Sequence, residues 1–146
     1  MQILLVGKNS SLLNKIPKIP KSWFQIGHKE LLDGFLVDPY DVVILFSWAK
    51  RKISDNEIIF QLLAKKRVIF ISSIAIYSLI VRDQWNNYPL QKSLFEKKYY
   101  NNGASIIRVG VLSKSSSGVL AYSDLNQLRK DIIFCLKNLN PKIIDS

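Results

Sequence analysis

Apolar residues along this chain fall into two patterns, short unbroken runs and longer stretches at helical spacing. Residues 2–6 form an apolar run closed by Gly7, which predicts a buried strand and a turn. Ser10 or Ser11 then offers a helix cap, and Leu12, Leu13 and Ile16 form a short apolar face that stops at Pro17. Residues 23–26 predict a second strand, and residues 29–36 a short helix closed by Asp38-Pro39. Residues 42–46 read Val-Val-Ile-Leu-Phe, the clearest strand: β-branched, continuous, and expected to be covered on both faces. Ser54 and Glu57 make an S-x-x-E capping box, with Ile58, Ile59, Leu62 and Leu63 at helical spacing behind it. Residues 68–71 predict a strand ending at Ser72 and Ser73. A helix is expected over 88–101, with Pro89 in its first turn and Asn101-Asn102-Gly103 as its stop. A strand over 104–109 and an amphipathic helix over 124–139, bearing Leu125, Leu128, Ile132 and Leu136, complete the series, with 113–118 as a loop.

Strands that alternate with helices argue for one parallel α/β sheet with helices on both faces, here a Rossmann-like sheet of about five strands. At 146 residues the chain has material for a single domain, 1–146, and 48% hydrophobic with 22% charged residues is a globular balance. One cysteine, Cys135, excludes an internal disulfide framework, and with one histidine, His28, no metal site is expected. Residues 1–7 lack a basic leader, and the longest apolar stretch, 68–81, falls short of about 20 residues. A reduced, cytoplasmic domain with no membrane span is expected. The net charge of +10 is spread out, with two triplets, Lys50-Arg51-Lys52 and Lys65-Lys66-Arg67, each beside a predicted helix. No recognition motif accompanies the charge, so it reads as solubility and general attraction for anions, a nucleotide included, and not as a nucleic-acid surface.

In such a sheet ligands bind beyond the carboxyl ends of the strands, near the point where strand order reverses. That edge collects residues 7–11, Phe46-Ser47-Trp48, Ser72-Ser73 with Tyr77, and Arg108-Val109-Gly110. Beside it stand Tyr88 and Lys92. Four residues apart on a helix, they share a face, and a lysine cation at that spacing favours the phenolate. A tyrosine so placed exchanges a proton with a substrate hydroxyl near neutral pH. Alone, a Y-x-x-x-K spacing also fits an ordinary amphipathic helix.

Taken in order, these pieces resemble the extended short-chain dehydrogenase/reductase family, the epimerases and dehydratases of nucleotide sugars. The matching residues are Gly7 after the first strand, Asp41-Val42-Val43-Ile44 leading to Phe46-Ser47-Trp48-Ala49, and Asn56. After them come Val68-Ile69-Phe70-Ile71-Ser72-Ser73 with Tyr77, then Tyr88, Lys92 and Glu96 at Y-x-x-x-K-x-x-x-E spacing, and Ile106-Ile107-Arg108-Val109-Gly110. The resemblance implies that Tyr88 is the general acid/base, that Lys92 binds the nicotinamide ribose, and that Ser73 holds the reacting substrate oxygen. It implies a dinucleotide held by Gly7, Lys8, Ser10, Ser11, Phe46, Ser47, Asn56 and Lys92, and a small sugar or nucleotide-sugar substrate. Asn56 reads equally as a helix cap, and Ser73 as a strand-end cap.

The departures from the family pattern matter as much. Its G-x-x-G-x-x-G turn is here Gly7-Lys8-Asn9-Ser10-Ser11-Leu12-Leu13, keeping only the first glycine. After the second strand comes Gly27-His28-Lys29, with Lys8 nearby, and cations there suit the 2′-phosphate of NADP slightly better than NAD. His28 otherwise reads as a surface residue. Family members carry a substrate-binding region beyond Gly110 that this length does not hold, so a small substrate, a partner subunit that completes the site, or loss of catalysis is expected. The alternative is a non-catalytic Rossmann module acting as an accessory or regulatory nucleotide-binding subunit. Phe60, Leu63, Leu94, Phe95 and Tyr99 on the third and fourth helices point to a homodimer through those helices.

Overall fold

The computed structural model describes residues 1–46, 53–73, 88–109, 124–138 and 140–145, with the side chains of Ser11, Ser73 and residues 88–92 outside that description. Six strands, β1 (Ile3–Val6), β2 (Phe24–Ile26), β3 (Val42–Phe46), β4 (Arg67–Ser73), β5 (Ser105–Val109) and β6 (Ile143–Asp145), form one sheet. Its order is β2-β1-β3-β4-β5-β6, and every pairing is parallel. Helices α1 (Ser11–Lys15), α2 (His28–Leu32), α3 (Ile53–Leu62), α4 (Tyr88–Asn101) and α5 (Leu125–Lys137) cover it.

The expected Rossmann-like architecture is present, and β1 and β3 are buried along their whole length, as parallel strands with both faces covered should be. Alternate strand residues divide into two layers. Ile3, Leu5, Val42, Ile44, Ile69 and Ile107 pack with Leu13 and Ile16 of the α1 segment and with Leu128, Ile132 and Cys135 of α5. Leu4, Val6, Val43, Leu45, Phe70 and Ile106 pack with Leu31 of α2, Ile59 of α3, and Phe95 and Tyr99 of α4. Each fully buried aliphatic side chain contributes about 1.5–3 kcal/mol, so the two layers hold the sheet from both sides.

Several boundaries differ from expectation. The sheet has six strands because Ile143–Asp145 adds to the β5 edge, where the Ile106 N–H donates to the Lys142 carbonyl at 2.7 Å. Three residues at an exposed edge show no readable periodicity. The second strand begins at Phe24, the second helix is His28–Leu32, and the last helix is Leu125–Lys137. Ser54 is not an N-cap, because α3 already begins at Ile53. Ser10 is the N-cap position of α1, although its side chain makes no capping bond. Asp124 caps α5 as its side chain accepts from the Asn126 and Gln127 N–H groups at 2.9 and 3.4 Å.

The second basic triplet is built into the fold. Lys66 donates to the carbonyls of Asp38 and Tyr40, at 2.9 and 2.8 Å, tying the turn before β4 to the turn before β3. Arg67 donates to the carbonyls of Cys135, Leu136 and Asn138, satisfying the C-terminal end of α5. The first triplet lies outside the described residues. The apolar face expected to join two copies is also redrawn, since Leu63, Phe95 and Tyr99 are buried in the core and Phe60 is partly buried against it. Among the described side chains, the exposed large apolar residues of α3 and α4 are Ile53, Ile58, Leu62, Leu94 and Tyr100. Among the described residues no helix is long and apolar enough to cross a membrane.

Candidate functional site

Strand order reverses at β1, which has β2 on one side and β3 on the other, so the crevice lies over the carboxyl ends of β1 and β3. The turn after β1 is tightly held: the N–H groups of Gly7 and Lys8 both donate to the Ile26 carbonyl, at 2.8 and 3.0 Å, and the Ser10 N–H closes onto the Gly7 carbonyl at 2.7 Å. Gly7 has φ +124°, and a Cβ there would stand 2.8 Å from the Phe46 Cβ. Glycine is therefore required both by the backbone and by the neighbouring strand. The other two family glycines correspond to Ser10, spent on closing the turn, and Leu13, buried in the core beneath a helix of only five residues.

His28, the first residue of α2, lies over this turn. Its Nε2–H donates to the Phe46 carbonyl at 2.6 Å; a carbonyl only accepts, so that nitrogen carries the hydrogen. Its Cε1 is 3.4 Å from where a Gly7 Cβ would stand. His28 is thus no idle surface residue: it links α2 to β3 across the end of β1. Beside it Lys8 forms an ion pair with Glu30, whose carboxylate also accepts the Gly27 N–H at 3.3 Å. The Lys8 hydrogen bond first, then the Gly27 N–H, holds the Glu30 carboxyl below the usual carboxylate range. The cation expected to suit a 2′-phosphate therefore already has a carboxylate partner.

The second network, at the carboxyl end of β4, is organised from Glu96. This residue of α4 is only 5% exposed, yet its two oxygens are fully used. Oε2 accepts from Ser72 Oγ at 2.8 Å, while Oε1 accepts from Arg108 Nε and Nη2 at 2.9 and 2.7 Å. Arg108 Nη1 lies 3.8 Å from Asp145 on β6. One buried carboxylate so joins α4, β4, β5 and β6. One turn further along α4, the Tyr99 ring stacks on Phe70, two residues back along β4, so α4 runs opposite to the strands. Lys92 and Tyr88 then lie about 6 and 12 Å toward the helix start from Glu96, at the 1.5 Å rise per residue. That direction leads past Ser73, the last residue of β4, which is in register with Val109. The structure thus brings the backbones of Ser73, Lys92 and Tyr88 to the same carboxyl edge; their side chains lie outside the described residues.

Phe46 closes the crevice as the last residue of β3, and Asn56 is buried in the first turn of α3. Ser47, Trp48, Tyr77 and Gly110 lie outside the described residues. A separate cavity of about 210 Å³, lined by Ser93, Glu96, Lys97, Tyr100, Arg108 and Ile143, opens between α4 and β6. Glu30, Ser72 and Arg108 carry the two networks; Ser72 and Arg108 lie on the carboxyl edge as expected from the sequence, while Glu30 was not among the expected residues. A carboxylate three residues after Gly27 was the available signal for Glu30, whereas the Ser72 and Arg108 contacts depend on strand order.

The donor set at the turn fits the adenosine end of a dinucleotide: a glycine turn at the switch point, a carboxylate able to accept ribose hydroxyls, and an ammonium for phosphate. The shape fits only with the His28 ring moved, since the ring stands in the notch over Gly7.

No protein-family model and no curated sequence matches the chain. Among solved structures it is similar to a serine dehydrogenase from Escherichia coli, with a TM-score of 0.57 and 10% identity over 100% of this chain and 97% of that one. It is also similar to the capsular polysaccharide assembling protein CapF from Staphylococcus aureus, with a TM-score of 0.60 and 12% identity over 97% of this chain. The chain spans about half of CapF, 53% of its length. At such identities what is shared is the fold, a Rossmann-like α/β sheet with parallel strands and helices on both faces.

Proposed function

We propose that this chain is a Rossmann-type oxidoreductase of the short-chain dehydrogenase/reductase kind, acting with NAD or NADP on a sugar or nucleotide sugar as epimerase, dehydratase or reductase. The observation that carries the reading is the Glu96 anchor, which holds a helix bearing Tyr88 and Lys92 against the strand end bearing Ser73. Tyr88 exchanges the proton of the substrate hydroxyl, and Lys92, one turn away, favours its phenolate and binds the ribose. Ser73 holds the reacting oxygen. The bound dinucleotide supplies or accepts the hydride. Glu30 suits the ribose hydroxyls of NAD and Lys8 the 2′-phosphate of NADP; because they pair with each other, charge favours neither cofactor.

The reading includes a homodimer through the outer faces of α3 and α4, supported by Ile58, Leu62 and Leu94, which are 47%, 44% and 54% exposed. The Lys98–Glu57 contact at 3.3 Å sets the two helices side by side. Light scattering at tens of micromolar should give twice the chain mass; a single-chain mass removes this part of the reading.

A second reading, a non-catalytic Rossmann module serving as an accessory subunit, is favoured by the His28 ring over Gly7. Wild type and Tyr88→Phe, assayed with both cofactors on a panel of sugar nucleotides, separate the two. The enzyme reading expects the variant to lose about 10²–10⁴-fold in rate. Equal rates, or no rate from either protein, support the module.

A further inference from the structure

Resting on the nucleotide-binding reading, we infer that His28 gates the adenosine end of the crevice, so that an adenosine phosphate enters only by displacing the imidazole from the Phe46 carbonyl.

The crevice over β1 and β3 has two walls, the Gly7 turn and the end of β3, and the His28 ring touches both. Its Nε2–H is bonded to the last carbonyl of β3, and its Cε1 lies 3.4 Å from the place a Gly7 Cβ would take. A glycine at the end of the first strand of such a sheet leaves room for close approach of a ligand. Here the same glycine leaves room for Phe46 and for the imidazole.

The surroundings fix the direction of the effect. Gly27, the residue before His28, is held from both sides: its N–H donates to Glu30, and its carbonyl accepts the Leu31 N–H at 3.3 Å. Lys8 is committed to the same Glu30 carboxylate. The backbone carrying His28 is therefore anchored, and opening of the notch falls to rotation of the side chain about its own two bonds. Rotation away from Phe46 opens the notch while leaving the Lys8–Glu30 pair in place for ribose and phosphate. A site whose open form is a minor population shows an apparent affinity lowered by that fraction, and removing the ring restores it.

Because His28 is the only histidine, its ring gives one imidazole Cε1–H resonance, with no assignment problem. ADP-ribose is the probe, titrated by calorimetry into wild type and His28→Ala, and into wild type followed by that resonance. The gate predicts about tenfold tighter binding to His28→Ala and a His28 resonance that moves in step with saturation of the wild type. Equal affinities with an unmoved resonance overturn the gate and leave the nucleotide reading standing. Weaker binding by His28→Ala also overturns it, making the ring a ligand contact. No binding by either protein removes the nucleotide reading and the gate together. Should His28→Ala fail to fold, the wild-type resonance decides alone.

Discussion

Tyr99 carries a cost within the core. Its ring stacks on Phe70 at 4.7 Å and meets Phe60 edge-on at 4.9 Å, while its buried hydroxyl has no hydrogen-bond partner among the described residues. Burial pushes the phenol well above its usual range. Tyr99→Phe keeps both ring contacts and removes the orphaned hydroxyl, so it should stabilise the fold by about 1 kcal/mol. The pH dependence has a definite sign. Above about pH 10 the unfolded chain ionises at this position while the folded chain stays protonated, so unfolding releases a proton and stability falls as pH rises. The wild type should lose up to about 1.4 kcal/mol per pH unit there relative to Tyr99→Phe, as read by urea melts at pH 8 to 11. Glycines offer a second contrast at this scale. Gly7 and Gly103 both have positive φ, but a Cβ meets Phe46 at Gly7 and nothing within 4 Å at Gly103. Gly103→Ala should cost about 1 kcal/mol, and Gly7→Ala at least twice that, because a clash with strand β3 adds to the strain.

Between elements, two polar fasteners do what the apolar layers do not. Arg67 opens β4 and closes α5, donating to three carbonyls at the helix end. Arg67→Met keeps much of the stem but removes every donor, and should cost about 2 kcal/mol in chemical denaturation. Glu96 fastens α4. Glu96→Ala removes the acceptor of Ser72 and the carboxylate paired with Arg108, and should cost about 3 kcal/mol, the lower end for a buried pair because Arg108 keeps some solvent access. Glu96→Gln, which retains an acceptor oxygen, should cost less. These fasteners mark where reading from sequence stops. The runs of β3 and β4 were legible because a parallel strand covered on both faces is continuously apolar. Likewise Gly7 and the α4 start at Tyr88 each follow from a local rule. Arg67 to α5 spans about seventy residues and Glu96 to Ser72 twenty-four, so both depend on which strands are neighbours. The burial of Phe95 and Tyr99, expected to be exposed, has the same origin: the sheet beneath α4 packs against them.

For the whole molecule, topology gathers the candidate residues on one edge. Part of the basic complement is wired into the fold, with Lys8, Lys66, Arg67, Lys98 and Arg108 all engaged by oxygen acceptors. The carboxyl edge of the sheet gathers the Gly7 turn, His28, Glu30, Phe46, the end of β4 and the start of α4. Much of that gathering was legible: Gly7, Phe46, Ser73, Tyr88 and Lys92 follow from strand ends and helix spacing. The inward turn of His28 and the Lys8–Glu30 pair were not, because side-chain direction at a turn depends on the neighbouring strand. The account stands on the claim that a dinucleotide binds along this edge. The direct measurement is nicotinamide fluorescence as wild type and Lys92→Met are titrated into NADH and NADPH. The account predicts saturable enhancement with a Kd below about 1 mM for wild type, clearly weakened in Lys92→Met. No saturable signal from wild type with either cofactor, or identical binding by the two proteins, contradicts it.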